Sequence, residues 1–313
     1  MATSPIWPHG KKFAFSIFDD ADGDVLTNTK PVYEFLHALG FRTTKSVWML
    51  DGHTDTKLGG MSCENAAYLE WARQLQAQGF EIGFHNARCE SSLREQTQRA
   101  IEEFKRHFGH YPRSMSNHYE NRENIYWGAA RLNGLAKWIY QLANARRAGQ
   151  LVSEGHLADS AYFWGDLCRE KVTYVRSFVF REINSLKVCP YFPYHDPLLP
   201  YVNEWYPSAE AGNLKSYVEM LSEANQDQLV AEGGACILYT HFAKRFFTNG
   251  RLDPEFCRLM ERLAKLGGWC VPVSELLDYL RQQRGGSTHV ITPGERRTLQ
   301  RRWLTSKLLR GSS

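Results

Sequence analysis

An apolar run that stops abruptly on acids constrains this chain more than any other feature. Residues 13–23 read FAFSIFDDADG: Phe13, Phe15, Ile17 and Phe18 lead into Asp19 and Asp20, and a flexible Gly23 follows. A buried strand of that composition delivers two carboxylates to its C-terminal end, where α/β folds build their sites. Adjacent carboxylates repel, so the pair calls for a cation, a shared proton or water. A metal ligand beside a general base accounts for both acids. So does a solvated acidic loop opening a helix N-terminus.

The other strand ends tip that balance. Thr27 to Pro31 opens a helix with Val32, Phe35, Leu36 and Leu39 at helical spacing, stopped by Gly40. Ser46 to Leu50 is a short strand, followed by a polar loop from Asp51 to Met61 suited to a site rim. Residues 64–78 form an amphipathic helix closed by Gly79. Phe80 to Phe84 is a strand ending in His85, and the next helix begins directly after it and stops at Gly109. Strand and helix have then alternated three times, which specifies parallel βα units.

Further on the pattern is less regular. Residues 110–128 crowd polar and aromatic groups like a substrate-facing loop. Leu135 to Leu151 reads as a basic helix and Val172 to Phe180 as a strand. Leu186 to Asn213, rich in proline, reads as a long loop or small insertion whose aromatics, Trp205 among them, either stack on sugar rings or cover the core edge. Ala235 to Thr240 is a clean strand that again ends in a histidine, His241. Gly268 to Leu280 gives a short strand and a helix with Ser274 as its N-cap.

Composition excludes several classes. Apolar residues make up 43% and aromatics 13% of 313 residues, which fits a globular protein and not a disordered one. No 18-residue apolar run is present, and the first residues lack the apolar core of a signal peptide. Seven scattered cysteines without CxxC spacing read as reduced thiols, so a cytoplasmic location is expected. From Arg281 onward eight basic residues face Glu295 alone, leaving about −3 on residues 1–280. Nucleic acid is therefore not an expected partner of the body. The tail, 286–313, reads as a separate basic segment after a 1–285 barrel. Its Leu299, Trp303, Leu304 and Leu308 make a helical stripe that packs on the barrel or docks on a membrane or protein partner.

Asp19, Asp20, His85 and His241 thus all sit just past apolar strands, and here the chain resembles the polysaccharide deacetylase family. Ile17-Phe-Asp-Asp-Ala21 resembles its first motif, Glu81-Ile-Gly-Phe-His85-Asn-Ala-Arg-Cys89 its second, Leu238-Tyr-Thr-His241 a late one, and residues 268–277 its closing one. The resemblance spans roughly residues 10–285. It implies an α/β fold, a distorted, incomplete (β/α) barrel, and metal-assisted hydrolysis of an N-acetyl group on an amino sugar or saccharide intermediate, as in surface-polysaccharide biosynthesis.

Carried over by position, the resemblance makes Asp19 the base that activates water. Asp20 and His85 become ligands of a divalent metal, typically zinc, and His241 the acid. The family's third ligand falls on Cys89, one helical turn after His85, with Glu90 and His118 as the alternatives. Tyr119 matches the tyrosine whose backbone N–H serves the oxyanion, whereas the family's base-tuning arginine has no counterpart beside it. Asp166 is the candidate for a further acid, and His118, Tyr119, Trp164 and Trp205 are the candidate substrate contacts. These altered motifs leave a second reading open, a saccharide or protein binder without turnover.

Overall fold

The computed structural model describes residues 5–52, 59–145 and 152–310. β1 (Ala14–Asp19), α1 (Leu26–Ala38), β2 (Thr44–Val47), α2 (Ala66–Ala77), β3 (Glu81–Phe84), α3 (Arg94–Phe108) and β4 (Ser114–Met115) alternate in turn. α4 (Gly134–Ala143) and α5 (Gly165–Lys171) precede β5 (Tyr174–Phe180). An excursion through α6 (Ser185–Val188) and β6 (Tyr194–His195) leads to β7 (Glu204–Glu210), and α7 (Leu214–Met220) and α8 (Glu223–Ala231) lead on to β8 (Ala235–Thr240). The chain ends with a hairpin of β9 (Phe247–Thr248) and β10 (Arg251–Leu252), then α9 (Pro254–Lys265), β11 (Trp269–Cys270), α10 (Val273–Gln283), β12 (His289–Val290) and α11 (Pro293–Arg310).

Seven parallel strands close into a ring in the order β1-β2-β3-β4-β5-β7-β8, with β8 pairing back onto β1 over six residues, Ala14↔Ala235 to Asp19↔Thr240. The weak seam is β3–β4, joined by the single pair Phe84↔Met115. Such a deformed barrel is what the alternation demands, because each crossover helix must bury its apolar stripe on the outside of the sheet. α3 shows the reason in one element. Thr97, Ala100, Ile101, Phe104 and Phe108 are its buried residues, at helical spacing, and Gly109 ends it in the left-handed conformation at φ 83°. α9 starts as firmly, with Asp253 accepting from the amides of Glu255 and Phe256 and Pro254 at its first position.

Three local expectations are corrected. The stretch 186–213 contains a barrel strand, β7, with Trp205 and Tyr206 buried. Pro207 lacks a donor, and the register of β5 against β7 shifts between Arg176 and Val179, so the proline sits opposite an irregularity rather than in a regular ladder. The helix after β3 begins at Arg94, not directly after His85. Asn86 takes a left-handed φ of 60° and residues 86–93 form a loop, so Cys89 is not one helical turn from His85. Ser274 lies inside α10 and does not cap it; its amide donates to the buried Glu81 carboxylate.

The basic tail is knit into the barrel. β12 pairs in parallel with β6, which runs antiparallel beside β7. α11 buries Leu299, Trp303 and Leu304, and Arg296 grips Asp196 through two hydrogen bonds of 2.6 and 2.8 Å. Among the described residues no helix is long and apolar enough to cross a membrane. Residues 53–58 of the expected rim loop and 146–151 of the expected basic helix lie outside the described residues.

Candidate active site

The C-terminal ends of β1, β3, β4 and β8 converge on one carboxylate, and it is Asp22. Its Oδ1 lies 3.2 Å from His85 Nε2 and 3.4 Å from His118 Nε2, and its Oδ2 lies 2.8 Å from His241 Nε2. Asp22, His85 and His118 are buried, and their ligand atoms all fall within 4.8 Å of one another. Among the described residues no other group of three metal-capable side chains is so arranged.

Each ring is oriented from behind. His85 Nδ1 faces Ser116, 2.8 Å from its Oγ and 3.1 Å from its carbonyl. His118 Nδ1 faces Asn121 Oδ1 at 3.0 Å, and His241 Nδ1 faces the Gly212 carbonyl at 2.7 Å. With the Nδ1 atoms engaged, the Nε2 atoms point together toward Asp22, the outer-shell arrangement that fixes metal-binding imidazoles. Trp48 walls the site, stacked on His85 at 6.0 Å and edge-on to His118 at 5.4 Å. Burial by itself raises a carboxyl pKa, but the facing imidazoles of His118, His241 and His85 hold Asp22 well below the usual range. Burial opposes charge on His118, yet the facing Asp22 carboxylate pushes its pKa up.

The donor set fits a divalent metal. Two imidazoles and one carboxylate are a zinc-type set, and His118 Nε2 is a buried nitrogen with no conventional hydrogen bond.

Asp20 is held differently. Arg176, from the inner face of β5, donates to both its oxygens at 2.9 and 2.6 Å, and Ser116 donates to Oδ1 at 2.8 Å. Its Oδ2 lies 3.9 Å from His85 Nε2. Burial would raise its pKa, but Arg176 and His85 hold it below the normal value, so it is ionised. Asp19 is enclosed. Its Oδ1 accepts from the Phe242 amide at 2.8 Å, its Oδ2 from Tyr33 at 3.1 Å, and Lys45 lies 3.3 Å away. Lys45 also pairs closely with Asp24, so one buried ammonium serves two buried acids. Burial pushes Asp19 up to about 7 despite that ammonium.

The remaining candidates are spread out. Cys89 is buried in a small cluster with Ala21 and Trp48, and Glu90 lies 3.6 Å from Arg88; neither belongs to the three-residue group. Asp166 is at the surface in the first turn of α5 with both oxygens taken by Arg94 at 2.7 Å. Trp164 is wholly buried and donates to the Glu123 carbonyl at 2.6 Å, and Trp205 is buried in β7, so both fill the core and lack the open ring face that sugar stacking needs. Tyr119 is exposed. Sequence reasoning passed over Asp22, although its D-x-D spacing to Asp20 was legible, and Arg176, a lone cation in an apolar strand. Lys244, 3.8 Å from Asp22, carried no sequence signal.

No protein-family model matches the chain, and no curated protein matches it. Solved structures do resemble it. Puue allantoinase is 12% identical over 90% of this chain and 94% of its own, with a TM-score of 0.53. A candidate polysaccharide deacetylase from Mycobacterium smegmatis is 14% identical over 93% of this chain and 97% of its own, at 0.50. Another, from Pseudomonas aeruginosa PAO1, is 12% identical over 90% and 95%, also at 0.50. The chain therefore shares the deformed (β/α) barrel fold of these structures.

Proposed function

We propose that this chain is a metal-dependent hydrolase that removes an acyl group from the nitrogen of an amino sugar or sugar-linked intermediate. The observation that carries the reading is the convergence of Asp22, His85 and His118 beside an ionised, arginine-held Asp20. Asp22, His85 and His118 would hold the metal, zinc being the best match to the donors. When bound, such an ion polarises an amide carbonyl and lowers the pKa of a water molecule.

The chain's own residues supply the proton transfers. Asp20 takes the proton from water at Oδ2, which accepts from Arg176 alone among the described residues and keeps a lone pair for the purpose. Arg176 and Ser116 fix its orientation. His241, held through Nδ1 by Gly212, presents Nε2 to the leaving nitrogen as the acid. The base role thus passes from Asp19 to Asp20, and the ligand role from Asp20 to Asp22.

Metal analysis joined to an acetate-release assay on N-acetylated amino sugars and nucleotide sugars tests the assignment. Asp22→Ala, His85→Ala and His118→Ala each lose bound metal, and Asp20→Asn keeps metal but loses turnover. Stoichiometric metal in Asp22→Ala would sink the ligand set. A binder without turnover is the second reading, favoured by the Lys244 ammonium 3.8 Å from Asp22, which competes with a metal for that carboxylate. Purification without stoichiometric metal, with no acetate released, would support it.

A further inference from the structure

The turn that carries Asp22 is held at both ends. Its near end leaves β1, where Asp19 sits in register with Thr240 of β8 and Lys45 of β2. The Asp20 amide continues the ladder by donating to the Thr240 carbonyl at 2.9 Å. Ala21 to Asp24 then reverse the chain. The Asp24 amide donates to the Ala21 carbonyl at 3.1 Å, and Gly23 takes a left-handed φ of 78°, which costs a glycine little. Asp22 stands at this bend.

The far end is Asp24, which the proposed chemistry does not use. Its carboxylate is wholly buried and accepts from three elements: from Lys45 of β2, from Thr29 of α1 at 2.8 Å and from Tyr68 of α2 at 3.2 Å. Its carbonyl accepts from the Met61 amide at 2.7 Å, and the Gly59 carbonyl accepts from the Gly23 amide at 2.9 Å. Gly60 lies flat against the back of the turn. A Cβ there would meet the Asp24 nitrogen at 2.8 Å, the Asp24 oxygen at 2.9 Å and the Ala21 oxygen at 3.1 Å. Lys45 stands opposite Asp19 in the ladder, so its ammonium ties the far end of the turn back to the strand that begins it.

Stability alone is a poor reason for this arrangement. Two buried carboxylates outnumber the single buried ammonium, and desolvation offsets much of what such ion pairs gain. What the arrangement does fix is position. Asp22 meets His85 and His118 at 3.2 and 3.4 Å only if residues 20–24 keep one path. We propose that Asp24, clamped by Lys45, is a positioning residue for the metal centre and sets where the Asp22 carboxylate stands before the two histidines. This inference rests on the ligand set proposed above. Asp24 itself touches neither metal nor substrate in this scheme.

The test reads three quantities in parallel: zinc affinity by chelator competition, the visible spectrum of the cobalt-loaded protein, and the melting temperature of the metal-free protein. Asp24→Asn leaves Lys45 paired one to one with Asp19 and keeps an oxygen for Thr29, so the metal-free variant should melt close to wild type. Its zinc affinity should fall roughly 10–100-fold, the usual effect of losing an outer-shell support, and its cobalt bands should change shape. Gly60→Ala alters no charge and should weaken zinc in the same direction by displacing the turn. Should Asp24→Asn fail to fold, Gly60→Ala decides alone. Unchanged zinc affinity in either folded variant would overturn the proposal. So would a lower melting temperature with the wild-type zinc affinity and cobalt spectrum retained, since the clamp would then be structural only. Asp22→Ala separates the two levels. If it binds zinc as wild type does, the ligand set falls and the clamp with it; if it loses zinc while the other two variants keep theirs, the clamp falls alone.

Discussion

Asp22 is held in its ionised form by the groups around it. Three imidazoles point their Nε2 atoms at one buried carboxylate, and each ring is pinned by a group on its far side. Behind His118 stands Glu123, wholly buried, accepting from Asn86 at 3.0 Å, Asn121 at 2.9 Å and the Ser92 amide at 3.1 Å. Asn121 in turn meets His118, so Glu123 fixes the histidine at second hand. Glu123→Gln turns one acceptor oxygen into a donor facing donors, and should lower stability by about 1–3 kcal/mol. It should also weaken metal affinity by roughly 10–100-fold, the usual effect of loosening an outer-shell partner. Metal titration of the folded variant checks this; unchanged affinity would mean that His118 needs no such support. Arg176→Met leaves Asp20 charged and unpaired in the barrel and should cost about 3–5 kcal/mol, read from urea unfolding.

At the scale of elements, β1 and β2 are joined by charge as well as by ladder bonds. Lys45 on β2 answers both Asp19 and Asp24, and Tyr33 and Tyr68 donate to the two acids at 3.1 and 3.2 Å. The Asp19 carboxyl, pushed up to about 7 by burial, binds its proton more tightly folded than unfolded, where 3.8 is normal. The sign follows from linkage: the folded state holds the extra proton between those values, so the contribution is full below pH 4 and is lost as pH rises through 7. Wild type should therefore lose stability relative to Asp19→Asn between pH 4 and 7. Parallel melting-temperature profiles across that range would refute it. Barrel strands of this kind are plain in sequence where apolar runs are unbroken, as in β1 and β8. β7 was not, because Pro207 and its aromatic neighbours look like loop until β5 is seen to shift register opposite them.

For the molecule as a whole, the tail packs on the barrel through α11 and β12, so the two should unfold together. Trp303 is fully buried against Tyr140 and Phe178, so Trp303→Ala should cost about 3–5 kcal/mol. Denaturant unfolding of the full chain, followed by far-ultraviolet circular dichroism and tryptophan fluorescence, should show one coincident transition. An early separate step for the tail would contradict its integration. The βα alternation, the acids after β1 and the histidines after β3 and β8 were determined by sequence alone, because hydrophobic periodicity and strand-end position are local properties. Which acid faces the histidines was not. Asp19, Asp20, Asp22 and Asp24 stand within six residues, and their roles separate only through partners far along the chain: Lys45 for Asp19 and Asp24, Arg176 for Asp20, and His85, His118 and His241 for Asp22. Cys89 left the expected set for the same reason, since a left-handed Asn86 and a loop replaced the helical turn that would have carried it to the site. Charge pairing across a closed barrel is set by tertiary proximity, and proximity is what a linear reading lacks.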